Sequence, residues 1–261
     1  MTPFTDVTHR TALVTGGARR IGRCIAESLA QDGWKVAVHY AGSDTDAENL
    51  VADLVQSGGN DRAVAIAADF ADPDAPAQVM SKATAALGPI GCLVNNASIF
   101  ERDDLAGATL ESWDRHMAIN LRAPFFLSQA FAAQVQAPAR GAVINIVDER
   151  VWHLTPHFAS YTISKAGLWA FTQTAALALA PRIRVNAIGP GPTLPSPRQS
   201  QAQFDAVARG IPLQRATAPA EIAAAVRFIL AAPAMTGQMI ALDGGQHLGW
   251  GQVQGGKDPG E

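Results

Sequence analysis

Ala12-Leu13-Val14-Thr15-Gly16-Gly17-Ala18-Arg19-Arg20-Ile21-Gly22 is the stretch that decides the fold. Four residues with strand character, Ala12–Thr15, run into a glycine-rich turn, and a helical pattern follows over Ile21–Gln31. Glycines at a strand-to-helix turn let another backbone or a ligand approach closely, and the helix start then presents N–H groups to a diphosphate. This turn therefore predicts a dinucleotide site carried by Gly16, Arg19, Arg20, Ile21 and Gly22.

The same rhythm continues along the chain. Further strands are expected at Lys35–Tyr40, Ala63–Ala68, Cys92–Asn95, Ala142–Val147, Ile183–Asn186 and Met239–Leu242. Helical patterns lie near Asp46–Ser57, Ala77–Leu87, Leu110–Gln136, Tyr161–Ala180 and Pro219–Ala231. Seven strands alternating with six helices predict a single-domain Rossmann fold over residues 1–250, with a doubly wound parallel sheet of seven strands covered on both faces. Two segments break the rhythm. Gly189–Gln203 is proline-rich and is expected to form a mobile flap, and the tail 251–261 is expected to be disordered.

Composition narrows the function. The chain has 261 residues, 48% hydrophobic and 16% charged, with a formal net charge of −3. No basic stripe is present, which argues against nucleic acid as a partner. Cys24 and Cys92 read as buried thiols rather than a disulfide framework. No apolar run has signal-peptide or membrane-spanning length, so a cytoplasmic protein with no membrane partner is expected, and no metal site is read from the sequence.

The end of the second strand bears on which dinucleotide is bound. A site for the unphosphorylated cofactor usually places an acid there to hold the ribose hydroxyls. Here the strand runs through His39 and Tyr40 to Ser43, and the first acid is Asp44. With Arg19 and Ser43 nearby, a 2′-phosphate would be accommodated, so NADP(H) is the expected cofactor. Asp69, followed by Phe70 at the end of the third strand, reads as a partner for the adenine. Arginine at position 20, where glycine is usual, offers bidentate bonding to phosphate or to an anionic substrate edge.

These motifs together resemble the short-chain dehydrogenase/reductase superfamily along nearly the whole chain. The resemblance rests on TGGARRIG at 15–22, NNAS at 95–98, Asn120, YTISK at 161–165, and PGP at 190–192 after RVNAIG. Within the superfamily the chain is similar to the pteridine reductase branch, on Arg20, Phe100 and Asp148. The resemblance implies that Asn96, Ala97, Ser98, Tyr161, Lys165, Pro190 and Gly191 also meet the cofactor. It implies a proton-donating Tyr161, a Lys165 that bonds the nicotinamide ribose and eases deprotonation of the tyrosine, and an Asn120 that holds a water chain to the lysine. Arg20, Ser98, Phe100, Asp148 and Tyr161 would meet the substrate. Asn95 reads as structural. Phe100 is either a platform for a flat heterocycle or a packing residue. Trp152, His153, His157 and Trp250 receive no role. Gly42 stands where the branch often has a basic residue for the 2′-phosphate, leaving Arg19 and Ser43 to recognise it.

Asp148 narrows the chemistry, because ketone-reducing members carry serine thirteen residues before the tyrosine. A serine hydroxyl donates to an oxygen that becomes negative during reduction, whereas an ionised aspartate repels it. At about 4 Å and an effective dielectric near 20 that repulsion is on the order of 4 kcal/mol, roughly a thousandfold in rate. An aspartate suits a substrate atom that must gain a proton. The leading expectation is an NADPH-dependent reductase of a dihydropterin or dihydrofolate C=N bond, with a homotetrameric assembly implied by the family. The alternatives are an NADP(H)-dependent carbonyl reductase and, in another class, a non-catalytic NADP-binding sensor.

Overall fold

The computed structural model describes residues 5–58 and 62–249. Seven strands form one parallel sheet: β1 Thr11–Val14, β2 Lys35–Tyr40, β3 Ala63–Ala67, β4 Cys92–Asn95, β5 Gly141–Ile146, β6 Ile183–Pro190 and β7 Met239–Leu242. Their spatial order is β3-β2-β1-β4-β5-β6-β7. The chain winds outward from β1 to β3, then returns to β4 on the other side of β1. In open α/β sheets that reversal leaves a crevice beyond the carboxyl ends of the two central strands, where ligands bind.

The helices are α1 Arg20–Gln31, α2 Asp44–Gly58, α3 Ala75–Leu87, α4 Leu110–Met117, α5 Ala123–Gln134, α6 Ala159–Leu179, α7 Gln201–Gly210 and α8 Pro219–Leu230. Because strand side chains alternate between faces, β1 feeds two cores. Ala12 and Val14 pack with Ile25 and Leu29 of α1 and Ile222 and Val226 of α8. Leu13 points the other way, into a cluster with Val79 of α3 and Leu127 and Phe131 of α5. Fully buried strands on both faces explain the continuous apolar runs in the sequence. Among the described residues no helix is long and apolar enough to cross a membrane.

Three expectations are corrected. The single helix expected over Leu110–Gln136 is interrupted by a π-helical turn at Ala118–Arg122. Pro124 enters α5 just beyond it and has no N–H to continue the regular ladder, a known way for such turns to arise. The segment Gly189–Gln203 is not one irregular flap. Its first two residues end β6, which is longer than expected because it pairs with both β5 and β7. Its last three open α7, a helix the strand-and-helix count lacked. Ser200 and Gln203 form a reciprocal capping box there, an S-x-x-Q signal that was legible in the sequence. The expected disorder of 251–261 lies outside the described residues.

Candidate active site

The cofactor end is built by tying the β1–α1 turn to the strands beside it. The Thr15 hydroxyl accepts from the backbone N–H groups of Asn96 and Ala97 at 2.9 and 3.0 Å. The Asn96 amide donates back to the carbonyls of Thr15 and Gly16 at 2.8 and 3.1 Å. His39 closes the other side. Gly16 N–H donates to its Nδ1 at 3.2 Å, so Nε2 carries the proton and donates to Ala68 O at 3.1 Å. The ring stacks on Phe70 with centroids 4.1 Å apart. Burial pulls the imidazole down to about 4, outweighing the Ala68 bond and the Asp69 charge that raise it. His39 is thus neutral, with both ring nitrogens engaged in protein bonds, and it shapes the floor of the cleft.

Helix α1 begins with no side-chain cap and no acid in its first turn. Its leading N–H groups and positive dipole end are left for an external anion, flanked by two arginines, which fits a dinucleotide diphosphate. Arg20 sits at φ +52°, the left-handed conformation that explains why glycine is usual at this position. Arginine keeps that backbone at a cost of roughly 1 kcal/mol. Its guanidinium reaches across to donate to the carbonyls of Leu194 and Pro195 at 3.2 and 3.1 Å. A cleft of about 370 Å³ lies here, bounded by the turn, His39, Tyr40, Ser43, Asp69 and Phe70, with Asn96, Ala97 and Ser98 on the β4 side. Arg19 borders it too, 3.6 Å from Asp46 in an exposed pair that a bound phosphate could replace at little cost.

A second cleft of about 280 Å³ adjoins it and shares Arg20, Ile21, Asn96 and Ser98. The Tyr161 hydroxyl donates to Asp148 Oδ2 at 2.7 Å. Asp148 follows the end of β5 and caps a short 3-10 turn, its Oδ1 accepting from Arg150 N–H at 2.8 Å. Lys165, one helical turn after Tyr161, is buried and donates to Ile146 O at 2.8 Å. Burial lowers its ammonium to about 8, against the opposing pull of Asp148. Pro190 and Gly191 form the β6 wall of the same cleft.

Two supports hold this constellation. Asn120, on the π-helical turn, donates to Ile99 O and Ser164 Oγ and accepts from Ile99 N–H and Ser98 Oγ. All four hydrogen-bonding positions of its amide are therefore filled by protein, and it ties the β4 end to α6. Helix α6 starts after Phe158 at φ +59° with no cap of its own. Asp103 supplies one from far along the chain: its carbonyl accepts from Phe158 and Ala159, and Oδ1 accepts from Ser160 N–H at 3.0 Å. Beneath the site Asn95 donates to Asn145, which donates to Thr172 of α6, each at 2.8 Å, a buried structural chain.

Phe100 is half-buried in the second cleft, and Phe158 covers one of its faces with ring centroids 4.3 Å apart and planes at 14°. Its edge relation to Tyr161 spans 4.7 Å. Trp152 packs against Trp169 and His247 outside both clefts, and Trp250 lies outside the described residues. Arg150, Phe158 and Gln246 were not singled out from the sequence. Gln246 follows β7, and its presence could have been anticipated from the rule that strand carboxyl ends share one edge.

The Lys165 environment sets opposite pH trends for activity and stability. Chemistry that needs the ammonium is expected to decline as pH rises past about 8. Stability moves the other way. The cost of burying the charge is present below the folded value and is relieved between about 8 and the ordinary 10.5, where the unfolded chain binds more protons. The gain is on the order of 3 kcal/mol for the cofactor-free protein. Denaturant titrations across that window and a pH–rate profile check both, and a Lys165 stability contribution that falls with pH would contradict the burial argument.

Residues 16–247 match the family described as enoyl-(acyl carrier protein) reductase. A 3-oxoacyl-[acyl-carrier-protein] reductase of Synechocystis is 35% identical over 93% of this chain and 98% of its own length. The chain belongs to the short-chain dehydrogenase/reductase superfamily. Within it, the solved structure of FolM alternative dihydrofolate reductase 1 from Brucella canis, complexed with NADP, is 44% identical, with a TM-score of 0.90 over 96% of this chain and 98% of that one. That likeness supports the pteridine reductase branch. A blue fluorescent protein from a metagenomic library, in complex with NADPH, is also similar, at 34% identity and a TM-score of 0.82 over 90% of this chain and 96% of that one.

Proposed function

We propose that the protein is an NADPH-dependent reductase of a pteridine C=N bond, of the dihydropterin or dihydrofolate type. The observation that carries this reading is the 2.7 Å bond from Tyr161 to Asp148 beside the buried Lys165. A phenol paired with a carboxylate forms a proton-delivering unit, and a carboxylate has no donor for an oxyanion unless it is itself protonated. The likeness to the NADP-bound FolM structures supports the same reading.

NADPH, when bound, would supply the hydride that reduces the substrate carbon. Tyr161 gives its proton to the substrate nitrogen, directly or through water, and Asp148, half-exposed at the cleft, returns a proton to Tyr161 from solvent. Lys165 stabilises the transient phenolate by its charge. The α1 N-terminus would hold the diphosphate, and Arg19 and Ser43 would meet the 2′-phosphate. Arg19→Ala is accordingly expected to weaken NADPH by about 1–3 kcal/mol and NADH much less, read by direct titration of both. Phe100→Ala is expected to raise KM for a flat substrate with NADPH affinity nearly unchanged, the ring contact contributing about 0.5–1.5 kcal/mol. An unstable variant with unaltered KM would instead mark Phe100 as packing.

A second reading, reduction of a carbonyl, is favoured by the curated relatives, several of which are 3-oxoacyl-[acyl-carrier-protein] reductases. NADPH oxidation monitored against dihydropterins, dihydrofolate, quinonoid pterins and small ketones separates the two. Turnover of ketones alone would select the second. The proposal includes a cytoplasmic homotetramer. The assembly part is supported by apolar side chains left exposed on α5 and α6, among them Phe125, Phe126 and Leu177.

A further inference from the structure

Between Ser196 and Gln199, which both line the second cleft, the chain carries a guanidinium that the proton chemistry does not use. Arg198, exposed on the loop between β6 and α7, spends one donor on Phe100 O at 2.9 Å. Its guanidinium lies 5.3 Å from the Phe100 ring centroid and 5.7 Å from that of Phe158. No carboxylate pairs with it among the described residues. Arg20 reaches the same loop, where its partners are the carbonyls of Leu194 and Pro195.

Asp148 and Glu149 line the same cleft, and Asp148 already receives the Tyr161 hydroxyl and Arg150 N–H; the acids that follow Phe100 in the chain are engaged too. Glu101 pairs with Arg115, and Asp103 receives Ser112 and Ser160. Asp104 receives Gly107 N–H. A guanidinium tied to a backbone carbonyl and lying near aromatic rings keeps its remaining donors as a planar fork suited to two oxygens of one anion. The position matters as much as the charge. Arg198 is anchored on the backbone of the ring that borders the reaction cleft, so an anion bound there belongs to the far end of the molecule being reduced.

We infer that Arg198, set on the Phe100–Phe158 stack, binds an anionic tail, a carboxylate or phosphate, on the substrate. This inference rests on the second cleft being the substrate site, and it specifies the substrate class as a reducible head with a negative group beyond the ring.

The test uses equilibrium binding to the full-length protein loaded with NADP+, so that turnover is not required. Oxidised pteridines bearing a neutral, a carboxylate or a phosphate side chain are compared, together with a 3-oxo acid and its methyl ester. The anionic member of at least one set is expected to bind about fivefold more tightly than its neutral counterpart, a preference lost in Arg198→Gln and weakened at high salt. The carboxylate and phosphate arms identify which anion the fork prefers. Arg198→Lys, which keeps the charge but loses the fork, is expected to retain only part of the preference. Unchanged NADP+ affinity in both variants verifies the fold. Equal binding of neutral and anionic members, or a preference that survives Arg198→Gln, overturns the inference. Selective binding of the 3-oxo acid with no binding of any pteridine sinks the pteridine reading and leaves the anion subsite standing.

Discussion

Asp148→Ser is expected to cut dihydropterin reduction at least tenfold while activity on small ketones holds or rises. In the proposed mechanism the carboxylate that accepts from Tyr161 at 2.7 Å restores the phenol proton, and a serine hydroxyl cannot take over that acid–base role. It can donate to an oxyanion, which is what carbonyl reduction needs. The local backbone should survive, because serine also serves as an N-cap and can accept from Arg150 N–H as Asp148 does. NADPH affinity should change little, since Asp148 lies outside the cleft proposed for the diphosphate and is placed in the proposal to meet substrate. Steady-state kinetics on both substrate classes, with cofactor binding measured separately, test every part. Dihydropterin turnover that survives intact would remove Asp148 from the proton path, and with it the main reason for preferring pterins over ketones.

The other large effect is expected at Gly22. A Cβ built there would lie 2.1 Å from the Gly16 carbonyl oxygen and 2.6 Å from the Asn96 amide nitrogen. Backbone cannot yield as a flexible side chain can, so Gly22→Ala must push α1 away from the turn or break the Asn96 bonds that hold it. Overpacking of this kind costs about 1–3 kcal/mol of stability. Dinucleotide affinity should fall further, by about a hundredfold, because the displaced helix start no longer presents its N–H groups together. NADPH titration and a denaturant melt of the variant check this. Near-native NADPH affinity would mean that the turn is more compliant than its contacts indicate.

The fold was legible because its signals are local. Strand, glycine turn and helix follow one another within about twenty residues at 12–31, and five of the six remaining strands repeat that grammar closely enough to be placed within a residue or two. Tyr161, Lys165 and Asp148 were likewise legible, since their spacing along one strand end and one helix fixes which edge of the sheet they share. Helix α7 was missed, because its proline-rich approach hid the Ser200–Gln203 capping box that marks its start.

The remainder depended on chain segments distant in sequence. Nothing near His39 indicates that its ring closes the Gly16 turn, 23 residues earlier, while its other nitrogen reaches Ala68. The missing cap of α6 is filled by Asp103, 57 residues before Ser160, and Asn120 becomes a four-bond tie only because a π turn aims it at both Ile99 and Ser164. The pairing of Arg198 with Phe100 spans 98 residues. The sequence by itself determined the sheet, the turn that receives a dinucleotide, and the residue types at the reacting end. Only the tertiary structure decided which side chains are engaged by protein and which stay available, because hydrogen-bond satisfaction in a buried site depends on partners that folding, and not proximity along the chain, brings within 3 Å.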